Sequence, residues 1–356
     1  MAKELKSAEG ILSYYRDFIY PRVLRYLKTP MFPSSFKIPS KYDSEKNFFQ
    51  EIISEYPKRK GKYLRPTLLS LTAQAMGAKL EDVVPVASAM QISEEWLLIH
   101  DDLEDDSPKR RGFPSLHKIY NIPLAVNAGD ALHVAMWRAL FDSRRFLDEE
   151  KVFRILNEFY TQLMRTTLGQ MTEIRWSKDK RMEFDDNDWY FVADGKTSYY
   201  TIACPMRLGA IIADGNNQQL DKLAKFGVYL GRAFQLTDDI LDVTSDFGGR
   251  KEFAGDVYEG KVTVILGYLL KKASLSDKKK LISILRKSRE EKTEDEVLWV
   301  VKMMKEYGAI DYAKDLALKW KQKSRDYFDQ HLDFIRLEPY RSYILTLVDF
   351  ITNRSY

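Results

Sequence analysis

The sequence predicts an all-α protein built as a single large helical bundle over residues 1–356. Three observations carry that expectation. Apolar residues recur at helical spacing through long segments, while period-two alternation bounded by turn residues hardly occurs. The centres of several segments, such as "PVASAMQI" and "LAVNAGDALHVAMWRAL", are apolar most of the way round. Helices of that kind sit inside a bundle rather than on its surface. Finally, no repeat, low-complexity tract or linker divides the chain, so one domain is the simplest account.

The elements follow in order. Residues 29–43, "TPMFPSSFKIPSKYD", contain three prolines and read as a loop. Segments 65–76, 81–105, 123–145, 149–176, 185–212 and 218–243 each read as a long helix, punctuated by turn signals such as Gly77 and "DGNN" at 214–217. After Gly248–Gly249 the composition becomes more charged. Helices over 276–286, 291–306 and 309–330 read as amphipathic, and 271–356 as peripheral to a motif-bearing core at 55–270.

Composition narrows the function. With 45% hydrophobic residues in 356 the chain can bury a large core, and a net charge of +4 from 56 basic and 52 acidic residues argues against nucleic acid as partner. The single cysteine, Cys204, excludes an intramolecular disulfide or a Cys-rich metal site. His100, His117, His133 and His331 show no zinc-ligand spacing. The opening "MAKELKSAEG" has no apolar signal core. The most membrane-like stretch, "YYTIACPMRLGAIIA", is broken by Pro205 and Arg207, short of the ~18 apolar residues a spanning helix needs. These features predict a soluble cytoplasmic protein without a transmembrane segment.

Two acidic motifs carry the chemistry. "IHDDLEDDSPKRRG" at 99–112 holds Asp101-Asp102-Leu103-Glu104-Asp105, and the pattern returns as Asp238-Asp239-Ile240-Leu241-Asp242. On a helix, positions one and five lie one above the other and position two sits beside position five, so each motif gathers carboxylates on one edge. Such like charges repel unless a cation neutralises them. A solvated acidic helix end is the plainest reading. Calcium would need the spaced ligands and central glycine of an EF-hand loop, and neither motif has them. Magnesium fits better, because it is held by one or two carboxylates plus substrate phosphates.

Cationic clusters are spaced along the same chain: Lys62 and Arg65 in "GKYLRP", Arg110-Arg111-Gly112, Gly195-Lys196-Thr197, Lys251, and Gly260-Lys261. None follows a Walker glycine pattern. Arginine suits a two-pronged grip on phosphate and lysine acts as a point charge, so together with the acids they suggest a site for two phosphorylated substrates.

In these blocks, over about residues 55–270, the chain resembles the trans-prenyltransferases, the isoprenyl diphosphate synthases. "GKYLRP", "HDDLEDDSPKRRG", "NAGD" at 127–130, "GQMTE" at 169–173, "GKTS" at 195–198, "FQLTDDILD" at 234–242 and "KEFAGDVYEGKVT" at 251–263 fall in that family's order. The resemblance implies an isoprenoid-synthase bundle with a central apolar pocket, a homodimer, and Mg²⁺, about three ions per active site. It implies direct metal ligation by Asp101, Asp105 and Asp238, with Asp102, Asp239 and Asp242 as ligands or as support behind them. Arg110, Lys196, Gln235, Lys251 and Lys261 would hold the allylic diphosphate (dimethylallyl, geranyl or farnesyl), with Thr197 nearby. Lys62, Arg65 and Arg111 would hold isopentenyl diphosphate, and Gln170 and Glu173 would border the site. Two positions depart from the family pattern: Glu94 stands where histidine or glutamine is usual, and Arg250 where glycine often precedes the lysine.

The implied reaction is head-to-tail prenyl transfer, in which cationic groups stabilise the departing diphosphate and orientation of the two substrates contributes further. Trp96 and Leu97, five and four places before Asp101, are the chain-length candidates. Trp96 alone is aromatic there, which in the resembled family goes with geranylgeranyl diphosphate (C20) rather than farnesyl diphosphate (C15). A terpene cyclase or head-to-head synthase fits "GKYLRP" less well, since a cyclase needs no second diphosphate site. A non-catalytic subunit fits less well because both aspartate motifs are whole.

Overall fold

The computed structural model describes residue 5 and residues 7–245 and 252–352. Its elements run α1 (Ala8–Tyr26), α2 (Asp43–Lys58), α3 (Leu64–Ala75), α4 (Leu80–Glu104), β1 (Lys109–Arg110), β2 (Phe113–Pro114), α5 (Leu116–Ile119), α6 (Ile122–Asp142) and α7 (Glu149–Lys178). After α8 (Asp186–Ala193) comes a π-helical stretch (Asp194–Ala203), then α9 (Cys204–Ile212) and α10 (Asn217–Thr244). The rest is α11 (Gly255–Glu259), α12 (Val264–Lys272), α13 (Leu275–Leu285), α14 (Glu294–Glu306), α15 (Ala309–His331) and α16 (Tyr340–Thr352). The all-α class predicted from the sequence is the one observed. The described chain gathers into two compact units. One holds the chain up to Leu156 with Leu208–Gly215 and Leu337–Tyr343; the other holds Asn157–Arg207, Asn216–Arg336 and Ile344 onward.

In the first unit α4 packs chiefly along α6, with α1 and α3 beside it. Its core is apolar through Leu68, Leu69, Val86, Met90, Ile92, Leu132 and Met136, all fully buried. Asn121 caps α6 by accepting from Leu124 N, as a short polar side chain at that position should. Gly129 on α6 allows the close approach of α4: an added Cβ would meet His100 Nε2 at 2.2 Å. The α4–α5 connection is a β-hairpin that the sequence reading did not foresee. Arg110 pairs with Phe113, leaving Arg111 and Gly112 as a two-residue turn, both with positive φ (55° and 82°). Two consecutive left-handed residues are what a type I′ hairpin turn requires, and Gly112 meets that need without a steric cost.

In the second unit α10 packs along α15 and the π-helical stretch. Leu236 and Ile240 of α10 join Leu266, Leu269, Leu285, Val300 and Ala313 in one buried cluster. The helices read as peripheral from their charge therefore bury their apolar faces in this core. Capping boxes at Asn216/Gln219 and Thr293/Glu296 start α10 and α14. The stretch 185–212, expected as one helix, is three pieces, because the backbone widens to π geometry at Asp194–Ala203. Glycines accommodate it: a Cβ on Gly231 would lie 2.3 Å from Ser198 Cα, and one on Gly169 2.9 Å from Lys196 N. Helices α1, α2, α12 and α16 complete the architecture. Residues 29–42 carry only 3₁₀ turns at Ser34–Phe36 and Ser40–Tyr42.

Candidate functional site

Both acidic motifs close a helix at its C-terminal end, where the helix dipole disfavours negative charge by about 0.3–1 kcal/mol per group. Neither α4 nor α10 carries a basic residue in its last turn. The compensation for α4 comes from outside it, from the hairpin. Arg110 Nε donates to Asp102 Oδ1 and Oδ2 at 2.9 and 3.0 Å, and Arg110 Nη2 reaches Asp101 Oδ2 at 3.3 Å. Tyr56 Oη donates to Asp102 Oδ2 at 2.6 Å and accepts from Leu116 N at 3.2 Å. Asp102 is fully buried, whereas the Asp101 side chain is 22% exposed. Burial pushes the Asp102 carboxyl above the usual carboxylate range, while Arg110 and Tyr56 act to lower it. Burial alone would lower the Arg110 pKa, but Asp102 and Asp101 outweigh it and hold the guanidinium protonated.

A second charged knot lies about two turns back on α4. Arg111 Nη1 donates to Glu95 Oε2 at 2.9 Å and to the Tyr56 carbonyl at 3.1 Å. Gln91 Nε2 donates to Glu95 Oε1 at 2.7 Å. Glu94 stands between two cations, 3.2 Å from Arg65 Nη1 and 3.6 Å from Arg111 Nη2. Gly61 lets Arg111 lie there, since a Cβ would meet its Nη2 at 2.5 Å. Lys62 is exposed just before left-handed Tyr63 (φ 60°). Thus "GKYLRP", Glu94 and the "KRRG" turn are brought together in one unit. Trp96 is nearly buried, with its ring 5.0 Å from His133 and 5.7 Å from His100. Leu97 is half-buried, and Ser88, Ala89 and Ser93, towards the N-terminus of α4, are fully buried.

The second unit repeats the division into outer and inner acids. Asp238 is half-exposed, while Asp239 and Asp242 are buried. Trp189 Nε1 donates to Asp239 Oδ2 at 3.0 Å and Gln235 Nε2 to Asp239 Oδ1 at 2.8 Å. Thr197 Oγ1 donates to Gln235 Oε1 at 2.6 Å. Burial, and then Asp256, push the Asp239 carboxyl well above its ordinary range. Asp242 Oδ2 accepts from Asp256 N at 3.0 Å, which ties the 252–261 segment to the end of α10. On that segment Lys261 Nζ lies 2.6 Å from Glu259 Oε2. The π-helical stretch presents Lys196, whose Nζ donates to Glu173 Oε2 at 2.5 Å on α7, one turn beyond Gln170. Lys251 and Arg250 lie outside the described residues.

A sequence model of the polyprenyl synthetases matches residues 46–304. The chain belongs to the polyprenyl synthetase family. It is 31% identical over 297 residues to a short chain isoprenyl diphosphate synthase of Methanothermobacter thermautotrophicus, covering 83% of this chain and 87% of that one. It is 32% identical over 264 residues to a geranylgeranyl diphosphate synthase of Saccharolobus solfataricus (73% and 77%). A geranylfarnesyl diphosphate synthase of Aeropyrum pernix is 29% identical over 277 residues (76% and 83%). The crystal structure of a geranylgeranyl pyrophosphate synthetase from Pyrococcus horikoshii superposes with a TM-score of 0.81 at 24% identity, over 98% of this chain and 99% of that one, and shares the fold. This polyprenyl synthetase is a trans-prenyltransferase, a class whose substrates are isopentenyl and allylic diphosphates.

Several partners of the motif residues in this polyprenyl synthetase carry no signal in the sequence. Tyr56 lies 46 positions before Asp102, and Trp189 lies 50 before Asp239. No local spacing links such pairs. Glu95 was overlooked beside Glu94, because helix phase alone does not say which of two adjacent acids turns inward. Among the described residues no three His, Cys, Asp or Glu side chains converge as a ready-made metal cage. The partly exposed carboxylates of Asp101 and Asp238 suit Mg²⁺, which retains waters and shares substrate phosphates.

Proposed function

We propose that this prenyltransferase is Mg²⁺-dependent, works head to tail, and makes geranylgeranyl diphosphate (C20) as its main product, ahead of farnesyl diphosphate (C15). The observation that carries the reading is the matching split of both aspartate motifs: a partly exposed lead acid, Asp101 or Asp238, backed by a buried, hydrogen-bonded neighbour, Asp102 or Asp239. A metal ligand is well oriented when groups behind it are fixed by hydrogen bonds. Asp101, Asp105 and Asp238 are the direct Mg²⁺ ligands, about three ions in all, and Asp102, Asp239 and Asp242 stand behind them. Bound Mg²⁺ supplies charge neutralisation at the diphosphate oxygens. Arg110, Lys196, Gln235, Lys251 and Lys261, with Thr197, hold the allylic diphosphate; Lys62, Arg65 and Arg111 hold isopentenyl diphosphate. Incubation with isopentenyl diphosphate, each allylic starter and Mg²⁺, followed by product sizing, tests this. No elongation with any starter would overturn it.

Glu94 tempers the isopentenyl site in this reading. Its carboxylate occupies Arg65 and Arg111, the two guanidiniums assigned to the incoming phosphate. Glu94→Gln removes the competing charge, and the KM for isopentenyl diphosphate should fall by up to about fivefold, the range of one partly exposed charge pair. Steady-state kinetics with each substrate varied decides it. A raised KM would make Glu94 an organiser of the two arginines instead.

Product length follows from α4. A helix rises about 5.4 Å per turn, close to one isoprene unit, so a chain growing from Asp101 towards the helix N-terminus meets Trp96 first. Trp96 Nε1 makes no hydrogen bond among the described residues, so truncation orphans no partner. Trp96→Ala should shift most of the product beyond the parent's length, towards Ser93 and Ala89, as read by chromatography of the dephosphorylated alcohols. An unchanged distribution from a folded, active variant would place the floor elsewhere.

A homodimer is the proposed assembly. One side of α6 exposes Ile122, Val126, Val134 and Phe141, and one side of α7 exposes Tyr160, Met164, Leu168 and Met171. Apolar faces of that extent mark interaction surfaces. Sedimentation velocity should return twice the 41.6 kDa chain mass, and Met164→Glu should shift it to monomer.

A further inference from the structure

The connection between α1 and α2 carries Met31, the most exposed large apolar side chain among the described residues. Residues 31–37 are all exposed, with Met31 at 99%, Phe36 at 72% and Phe32 at 44%. The loop is not a slack one. Pro30, Pro33 and Pro39 restrict its backbone, Phe36 N donates to the Pro33 carbonyl at 2.8 Å, and Tyr42 N to the Pro39 carbonyl at 3.0 Å. Large apolar side chains held out on a stiff scaffold lose little conformational freedom on docking.

Charge decides what they would dock against. From Arg25 to Lys41 the chain reads "RYLKTPMFPSSFKIPSK", with Arg25, Lys28, Lys37 and Lys41 and not one acid. Elsewhere acids and bases nearly balance, at 52 against 56 for the whole chain. An apolar tip flanked along the chain by cations is the pattern of a membrane-surface anchor, in which apolar groups enter the headgroup boundary while Lys and Arg meet anionic lipids. A protein partner would need acids facing this rim and a pocket for the aromatics. An anionic bilayer supplies both requirements over a continuous surface.

We propose that the 28–41 loop is a reversible docking site for anionic phospholipid membranes, through Met31, Phe32 and Phe36 with Lys28, Lys37 and Lys41. No helix of the described residues is long and apolar enough to cross a membrane, so the contact is peripheral. Each cation near an anionic surface raises partitioning on the order of fivefold, and each large apolar side chain that inserts contributes tenfold or more. The loop carries none of the residues assigned to substrate or metal, and the inference stands independently of the product assigned above.

The test is vesicle co-sedimentation of the full chain without substrate. Vesicles of phosphatidylcholine with about one-third phosphatidylserine should bind the protein, and pure phosphatidylcholine should bind it at least tenfold less. The Met31→Ser/Phe32→Ser/Phe36→Ser variant should lose at least tenfold of the anionic binding, with unchanged prenyl transfer in detergent-free solution. The Lys28→Glu/Lys37→Glu/Lys41→Glu variant should lose the preference for phosphatidylserine. Equal binding by parent and variants, or no binding by the parent, would overturn the proposal. A change of sedimentation coefficient in the serine variant would also overturn it, because it would show that a second copy covers the loop.

Discussion

Asp101→Ala and Asp238→Ala should each lower kcat at least about a hundredfold, the range seen when one preorganised charge-stabilising group is removed from an active site. The thermal midpoint should stay level or rise slightly. Asp101 sits in the last turn of α4, where its charge opposes the helix dipole, Asp238 lies six residues before the end of α10, and neither is one of the buried acids of its motif. A metal-ligand role and a structural role therefore predict opposite patterns. A ligand costs turnover and spares stability; a structural acid does the reverse. Raising Mg²⁺ should recover part of the lost rate in either variant, since weakened ligation shifts the metal's half-saturation upward. Turnover near the parent value at ordinary Mg²⁺ in either variant would sink the assignment.

Asp102→Ala should destabilise the fold by about 3–5 kcal/mol, the range for removing one partner of a buried ion pair. Asp102 is fully buried and accepts from both Arg110 and Tyr56. Its loss leaves Arg110 with Asp101 alone of the two acids, deprives the Tyr56 hydroxyl of its acceptor, and removes one tie to the hairpin that carries Arg111. Asp102→Asn keeps the shape and one acceptor oxygen and should cost less. Urea melts followed by circular dichroism measure the difference. A melt unchanged from the parent would show that Arg110 and Tyr56 find other partners and that Asp102 is not the anchor of the hairpin. Adjacent aspartates in one motif thus separate experimentally: the first by rate, the second by stability.

The fold class and most of the long helices were legible in the sequence, because they depend on local periodicity, caps and turn residues. The helix read at 218–243 is α10 at Asn217–Thr244, opened by the Asn216/Gln219 box. The reading at 81–105 is α4 at Leu80–Glu104, closed where Asp106 turns left-handed. The gathering of acids near the ends of α4 and α10 was legible as well, since the repeated D-D-x-x-D spacing places them on one helix edge. The widening at Asp194–Ala203 was not, because it depends on glycines of other helices. Gly231 and Gly169 leave room for Ser198 and Lys196. The hairpin behind the first motif was missed because two-residue strands are too short for an alternating pattern to register.

What the sequence by itself determined is which residues carry charge and which helices present them. What only the tertiary structure decided is how those charges are divided. Helix phase puts Asp101 and Asp102 side by side, and nothing local says which of them Tyr56 and Arg110 bury. The same holds for Asp238 and Asp239 beside Trp189, and for Glu94 beside Glu95, where Gln91 and Arg111 hold the inner acid. Burial is a property of what packs against a side chain. A carboxylate becomes an anchor only where long-range partners both remove its water and satisfy its oxygens.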